Sequence, residues 1–372
     1  MRVGSVIEIK KQEFRVGLTP GNVREYVRCG HEVVVQAGLG NGSAFSDAEY
    51  ADAGATVVQT AAEVWKESEM MVKVKEPLPE EYGLMRSGQI LYTYLHLAAD
   101  KKLAEAMMST GVTGVAYETV TDSRGRLPLL TPMSEVAGRL SVIEGAKCLQ
   151  KNMGGRGILL SGVPGTHRAK TLILGGGVVG MNACKIAVGM GARVVVMDVN
   201  AERLAWFDDT YGSQVDTVFS TETAIQQEIR DADLVIGAVL IPGKSAPKLI
   251  KRSYLADMLD GSVIVDVAVD QGGIAETSRP TYHDNPTFVM DGVVHYCVGN
   301  MPGSTPRTST IALTNVTTGF GLRIAGDGLQ AACKNDANLA NGVNIHNGEC
   351  TCENVAISLD LPYTPLAKTM AI

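Results

Sequence analysis

Three polar residues stand where apolar runs end and a fourth lies in a loop, and their types suit one reaction. Lys75 closes the run Met70-Met71-Val72-Lys73-Val74, and His96 closes Ile90-Leu91-Tyr92-Thr93-Tyr94-Leu95. Asp270 follows Val263-Ile264-Val265-Asp266-Val267-Ala268-Val269, and Arg15 lies in the loop before Thr19-Pro20. In open α/β sheets ligands bind beyond the carboxyl ends of strands. A lysine and an arginine there could hold a carboxylate, a histidine could exchange protons near neutral pH, and an aspartate could sit beside a cationic reaction centre. Together they suit oxidation of an amino or hydroxy acid beside a nicotinamide. Each has an ordinary reading too. His96 could be a satisfied strand-end histidine, Lys75 a solvated loop charge, Asp270 a cap before Gly272-Gly273, and Arg15 a surface charge beside Lys10, Lys11 and Glu13.

The element that would bring a nicotinamide is Lys170-Thr171-Leu172-Ile173-Leu174-Gly175-Gly176-Gly177-Val178-Val179-Gly180. It reads as an apolar strand, a glycine-rich turn and the start of a helix over 178–189. Gly175, Gly177 and Gly180 form G-x-G-x-x-G, and the next apolar run, Arg193-Val194-Val195-Val196-Met197, ends in Asp198. The first glycine permits the tight turn, the second lets backbone approach a pyrophosphate, and the third allows close packing of helix on strand. Asp198 has the reach to accept from a ribose 2′-hydroxyl, and its charge would repel a 2′-phosphate. NAD is therefore expected over NADP, with Arg193 and Arg203 nearby as opposing cations. A glycine-rich turn without a ligand would not require an acid at the tip of the next strand.

The chain has 372 residues, with 45% hydrophobic residues and a net charge of −7. That length suits two domains with substantial cores, and the acidic balance argues against nucleic acid as the main partner. No uncharged apolar stretch of about 18 residues occurs, and the first residues lack the apolar core of a signal peptide. The seven scattered cysteines fit no disulfide framework and suit reduced thiols in a cytoplasmic protein. Cys350 and Cys352 have no partners at metal-site spacing, so no metal is expected.

Before the fingerprint, strands are expected at 2–9, 32–36, 70–75, 90–96 and 114–118. A helix begins at Thr19-Pro20 and another spans 100–108. Residues 134–149 read as an amphipathic helix with Val136, Leu140, Ile143 and Ala146 on one stripe. Later strands are expected at 234–239 and 262–267, then a long helix at 308–324. The tail from Asp327 reads as peripheral structure. The expected fold is α/β, two domains, each a mainly parallel sheet flanked by helices. Residues 134–307 form the central Rossmann domain, and 1–133 with 308–372 form a discontinuous substrate domain. The helices near 134–149 and 308–324 link them across a cleft that would close by hinge motion.

Long stretches of the chain resemble alanine dehydrogenase, a family that also includes the NAD-binding subunit of proton-translocating transhydrogenase. They include 10–20, 72–77, 94–98, 130–138, 174–181, 265–273, 300–303 and 306–310. The resemblance extends to about residue 366. It implies reversible NAD-dependent deamination of L-alanine to pyruvate and ammonia. Arg15 and Lys75 would hold the substrate carboxylate, with His96 as acid/base and Asp270 as the catalytic aspartate. It also implies cofactor contacts at Ser134, Val178, Val179, Asp198, Ser220, Val239 and Leu240. Further contacts fall at Val267, Ala268, Val269, Asp270, Arg279, Val298, Gly299, Asn300 and Met301, with Arg203 at a commonly basic position. Relatives are usually hexamers, so a homo-oligomer is expected. Thr166-His167-Arg168 departs from the apolar sequence expected there, and Arg323 stands where a metal site of some relatives would need an acid. A transhydrogenase subunit or a non-catalytic NAD-sensing module are the competing roles, and neither needs the set Arg15, Lys75, His96 and Asp270.

Overall fold

The computed structural model describes residues 1–239 and 246–371. Two compact units are present: Met1–Met133 with Thr305–Ile372, and Ser134–Ser304. Each contains one sheet.

The first unit is built on an eight-stranded sheet. Its order is Glu349–Cys350, Val343–His346, Thr113–Ala116, Ile90–Thr93, Met70–Val72, Arg2–Ser5, Glu32–Gln36, Thr56–Val58. The six strands from the amino-terminal half run parallel. The tail is not peripheral: Val343–His346 pairs antiparallel with Thr113–Ala116, and Glu349–Cys350 extends the edge. These strands are too short for a period-two pattern to stand out, as is Thr56–Val58. Strands at 70–75 and 90–96 end earlier than expected, at Val72 and Thr93, so Lys75 and His96 belong to the loops that follow.

Helices cover the sheet for local reasons. Pro20–Arg28 starts from Thr19, whose hydroxyl accepts from the Asn22 amide while Asn22 reaches back to the Thr19 amide. This reciprocal cap satisfies two donors that the first turn leaves open. Lys101–Thr110 is capped by Asp100 and ends at Gly111, at φ 70°. One face of the sheet packs Val34, Met71 and Leu91 against Trp65, Leu103, Met107 and the tail residues Ile345 and Val355.

The second unit holds a seven-stranded sheet, all parallel but for one edge strand. Its order is Thr287–Met290, Val293–Tyr296, Val263–Asp266, Leu234–Gly237, Lys170–Leu174, Arg193–Asp198, Val215–Phe219. Without the antiparallel edge, this is the doubly wound dinucleotide-binding order, reversing between Lys170–Leu174 and Leu234–Gly237. Both faces are buried. Ile173, Val194, Val196, Leu234 and Ile236 face one core, and Leu172, Leu174, Val195, Met197 and Val235 face the other. That explains why these strands read as continuous apolar runs.

The helix at 134–149 is longer, Thr131–Cys148. Its buried face includes Ala137, Leu140, Ser141 and Val142, while Ile143 of the expected stripe is 48% exposed. Gly138 and Gly145 let the helix lie close to its neighbours, since a Cβ there would strike the Val179 carbonyl oxygen or the Leu234 side chain. The long helix at 308–324 extends over Pro306–Asp327. Among the described residues no helix is long and apolar enough to cross a membrane.

Candidate active site

The first unit gathers three of the four chemical residues at one edge of its sheet. Arg2–Ser5, Met70–Val72 and Ile90–Thr93 are adjacent and parallel. Arg15, Lys75 and His96 come from the segments that leave their carboxyl ends. The Thr93 hydroxyl donates to the Lys75 carbonyl at 3.0 Å and ties two of these segments together.

Acidic residues that sequence reasoning passed over hold each cation in place. Arg15 is 2% exposed. Its Nε donates to Glu13 Oε1 at 2.7 Å and its Nη2 to Glu13 Oε2 at 2.6 Å. The third nitrogen, Nη1, contacts Met133 Sδ at 3.0 Å. Burial alone would lower the guanidinium's pKa, but the charge and hydrogen bonds of Glu13 outweigh it and leave it raised. Glu8 fixes the Lys75 segment, accepting from the Val74 amide at 2.6 Å and the Lys75 amide at 3.2 Å. Fully buried Lys73 bridges Glu8 at 2.9 Å and Glu81 at 3.0 Å. Lys75 is buried as well, 9% exposed, with Arg15 and Glu76 among its charged neighbours. Burial lowers its pKa, and neighbouring Arg15 pushes the same way. An arriving carboxylate would relieve both costs.

His96 is on the wet side of this cluster, with its side chain 47% exposed. Its backbone is left-handed, φ 50° and ψ 31°, a conformation that costs a non-glycine residue free energy. Glu118 pins it, accepting from the His96 amide at 2.6 Å and the Leu95 amide at 3.1 Å. No spacing in the sequence signals this turn. A usable signal existed for the acids: charged residues within apolar runs, such as Lys73 between Val72 and Val74, must find buried partners.

In the second unit, the fingerprint turn has the shape a pyrophosphate needs. Gly175 has φ 105°, which only glycine adopts readily. A Cβ on Gly180 would overlap the Gly175 carbonyl oxygen, whereas one on Gly177 would meet nothing within 4 Å. The helix Val178–Gly189 begins there and directs its amino-terminal amides towards the turn. The Asp198 carboxylate accepts from the Gly176 amide at 2.6 Å and the Asn200 amide at 2.8 Å. The Arg203 guanidinium contacts Met181 Sδ at 3.3 Å.

The remaining residues expected at the cofactor fall mostly along the same carboxyl edge. Ser220 follows Val215–Phe219 and bonds through its amide to the Asp198 carbonyl. Val239 follows Leu234–Gly237, and Leu240 lies outside the described residues. Val267, Ala268, Val269 and Asp270 form the turn after Val263–Asp266, with Asp270 exposed. Buried Asp266 fixes that turn, accepting from the Ala268 amide at 3.1 Å and the Ile274 amide at 2.7 Å. Lys248 braces it from the other side, donating to the Gly273 carbonyl at 2.9 Å. Val298, Gly299, Asn300 and Met301 lie beside it, and a Cβ on Gly299 would strike the Asp270 carboxylate. Two residues stand apart: Ser134 is in the first turn of Thr131–Cys148, and Arg279 stacks on Phe288 at 4.3 Å.

Taken together, sheet order, glycine turn and strand-tip acid define an α/β dehydrogenase with a Rossmann-type nicotinamide-binding unit. Models of the alanine dehydrogenase/PNT amino- and carboxyl-terminal domains match residues 4–137 and 141–353, and the chain belongs to that family. It is 51% identical to alanine dehydrogenase of Mycolicibacterium smegmatis over 371 residues, covering 100% of both chains. A solved L-alanine dehydrogenase superposes with a TM-score of 0.94 at 50% identity, over 97% of this chain and 99% of that one. A transhydrogenase from Sinorhizobium meliloti gives 0.79 at 26% identity, over 95% and 99%.

Proposed function

We propose that this chain catalyses the reversible, NAD-dependent oxidative deamination of L-alanine to pyruvate and ammonia. The carrying observation is the convergence of Arg15, Lys75 and His96 on the carboxyl edge of three adjacent parallel strands. A sensing module or a hydride relay needs no such carboxylate clamp. Residues 1–133 with 305–372 act as the substrate domain and 134–304, not 134–307, as the NAD domain. Asp198, at the tip of its strand, favours NAD over NADP. The assembly is a homo-oligomer, a hexamer by family resemblance. Free thiols at all seven cysteines suit a cytoplasmic enzyme.

The bound dinucleotide supplies the hydride acceptor for the substrate Cα. Gly175, Gly177 and the start of Val178–Gly189 hold its pyrophosphate, and Asp198 its ribose. Arg15 and Lys75 hold the alanine carboxylate and orient the Cα–H bond. Glu13 occupies one edge of Arg15, so the ammonium of Lys75 carries the larger share of uncompensated positive charge toward the substrate. His96 takes a proton from the water that adds to the iminium carbon, gives it to the amine as the C–N bond breaks and ammonia departs, and takes the hydroxyl proton as the carbonyl forms. Asp270 stabilises the cationic substrate carbon and amine.

The test is the rise of NADH absorbance with purified protein, NAD and L-alanine and no other protein. Turnover is expected, and His96→Gln should lower kcat at least about 100-fold with NADH affinity unchanged. No turnover by the wild type, with hydride exchange seen only alongside a membrane partner, would assign the chain to the transhydrogenase branch instead.

A further inference from the structure

His96 does not stand alone on the sheet edge. Its Nδ1 lies 3.3 Å from Oε2 of Glu76, whose side chain is only 12% exposed. The other oxygen of that carboxylate, Oε1, is paired with the Lys10 ammonium. The imidazole is thus held at two points, its backbone by Glu118 and its ring by Glu76.

We propose that Glu76 is a positioning residue for His96, holding the ring through Nδ1–H and leaving Nε2 as the nitrogen that exchanges protons with the substrate. The inference rests on His96 being the acid/base group of the reaction above. Its logic is the hydrogen-bond inventory. An ionised carboxylate only accepts, so a hydrogen on Nδ1 must occupy this contact. In the neutral ring the lone pair then falls on Nε2. When water adds to the iminium carbon, its oxygen bonds to carbon, the C=N π pair moves to nitrogen, and one water proton passes to Nε2. The imidazolium then carries both hydrogens, and Glu76 stays ionised throughout. The Nε2 proton next passes to the amine, the C–N bond breaks as ammonia leaves, and Nε2 takes the hydroxyl proton as the carbonyl forms.

Glu76 is suited to staying ionised. Burial would raise its pKa, but the hydrogen bond and charge of His96, then Lys10 and Lys75, together hold its carboxyl well below the usual carboxylate range. Other charged groups also face the pair. Glu118 lies at the backbone of His96, the Tyr94 ring is 5.8 Å from the imidazole, and Tyr82 feels both Glu76 and Asp100. Among these only Glu76 contacts a ring nitrogen of His96.

Replacing Glu76 by Gln keeps the shape and removes the charge, so the imidazolium formed during the reaction loses its ionic partner. In Glu76→Gln the acid limb of kcat/KM for L-alanine, at saturating NAD, should move down by about half to one pH unit. The kcat should fall at least about tenfold, as orienting carboxylates of catalytic histidines do. NADH affinity should not change, and Glu76→Asp should recover part of the rate. An unmoved limb and normal kcat in Glu76→Gln, beside an inactive His96→Gln, would overturn the proposal while sparing the acid/base reading. A fully active His96→Gln would instead overturn that reading. Nitrogen-15 spectra of the histidine-labelled wild type, with His96 assigned by its loss in His96→Gln, need no Glu76 variant. At high pH they should show His96 as the Nδ1–H tautomer, and the Nε2–H form, commoner in water, would refute it.

Discussion

The two carboxyl edges of this molecule are built by opposite means. In the second unit, the turn at Gly175–Gly180 is made of backbone: a positive φ, a close approach of Gly180 to a carbonyl, and helix amides. In the first unit, the edge is made of side chains. Arg15, Lys75 and His96 each depend on a carboxylate: Glu13 on the guanidinium, Glu8 on the amides of Val74 and Lys75, and Glu76 on the imidazole. A backbone device binds a group common to many dinucleotides. On the proposed reading, a set of mostly buried charges fixes two cations and a half-exposed imidazole for one small carboxylic acid, at the cost of desolvating the charges. Generic and specific recognition are thus separated along the chain.

That contrast can be broken most severely at Lys75. Lys75→Ala should lower kcat/KM for pyruvate about 1,000-fold, since a lost charge-assisted contact leaves the substrate carboxylate poorly paired. NADH binding, followed by fluorescence, should stay within a few-fold. A normal kcat/KM would remove Lys75 from the clamp, and a matching loss of NADH affinity would show that the two edges are not separable.

Glu13 sharpens the same point, because it should matter for stability as well as for substrate. Glu13→Gln leaves the Arg15 charge buried beside a neutral amide. Breaking such a pair costs about 3 kcal/mol of unfolding free energy, measured by urea denaturation of wild type and variant. Little change in the urea midpoint would mean that Arg15 finds another partner or is solvated. The surface pair Arg28–Glu25, with side chains 71% and 45% exposed, makes a control. Glu25→Gln should change stability by at most about 0.5 kcal/mol.

A smaller effect than at Lys75 or Glu13 is expected at the backbone-built edge. Asp198→Gly should narrow the NAD-over-NADP preference by about tenfold, the scale of one hydrogen-bonded contact, with little change in turnover at saturating cofactor. Equal use of both cofactors by the wild type would end the case for Asp198 as the discriminating group.

The amino-acid sequence alone settled the alternation of strands and helices, the nucleotide turn, the three polar residues at run ends and Arg15 in its loop. These are local properties. A glycine's φ, a run of β-branched residues and an acid at a strand tip act within about 30 residues of one another, the span of a βαβ unit. The stretches 10–20 and 72–77 contain Glu13, Lys73 and Glu76, yet no local pattern assigns a role to these residues or to Glu8 and Glu118. Only the tertiary structure paired Glu8 with the Val74 amide, 66 residues away, and Glu118 with the His96 amide, 22 residues away. It also turned the carboxyl-terminal tail into sheet by pairing Val343–His346 with Thr113–Ala116. The reason is energetic. A buried charge has to be paired or hydrogen-bonded, but which of many carboxylates serves it depends on which segments the sheet order brings together. Strand order follows from packing two faces at once, and no short window of sequence contains it.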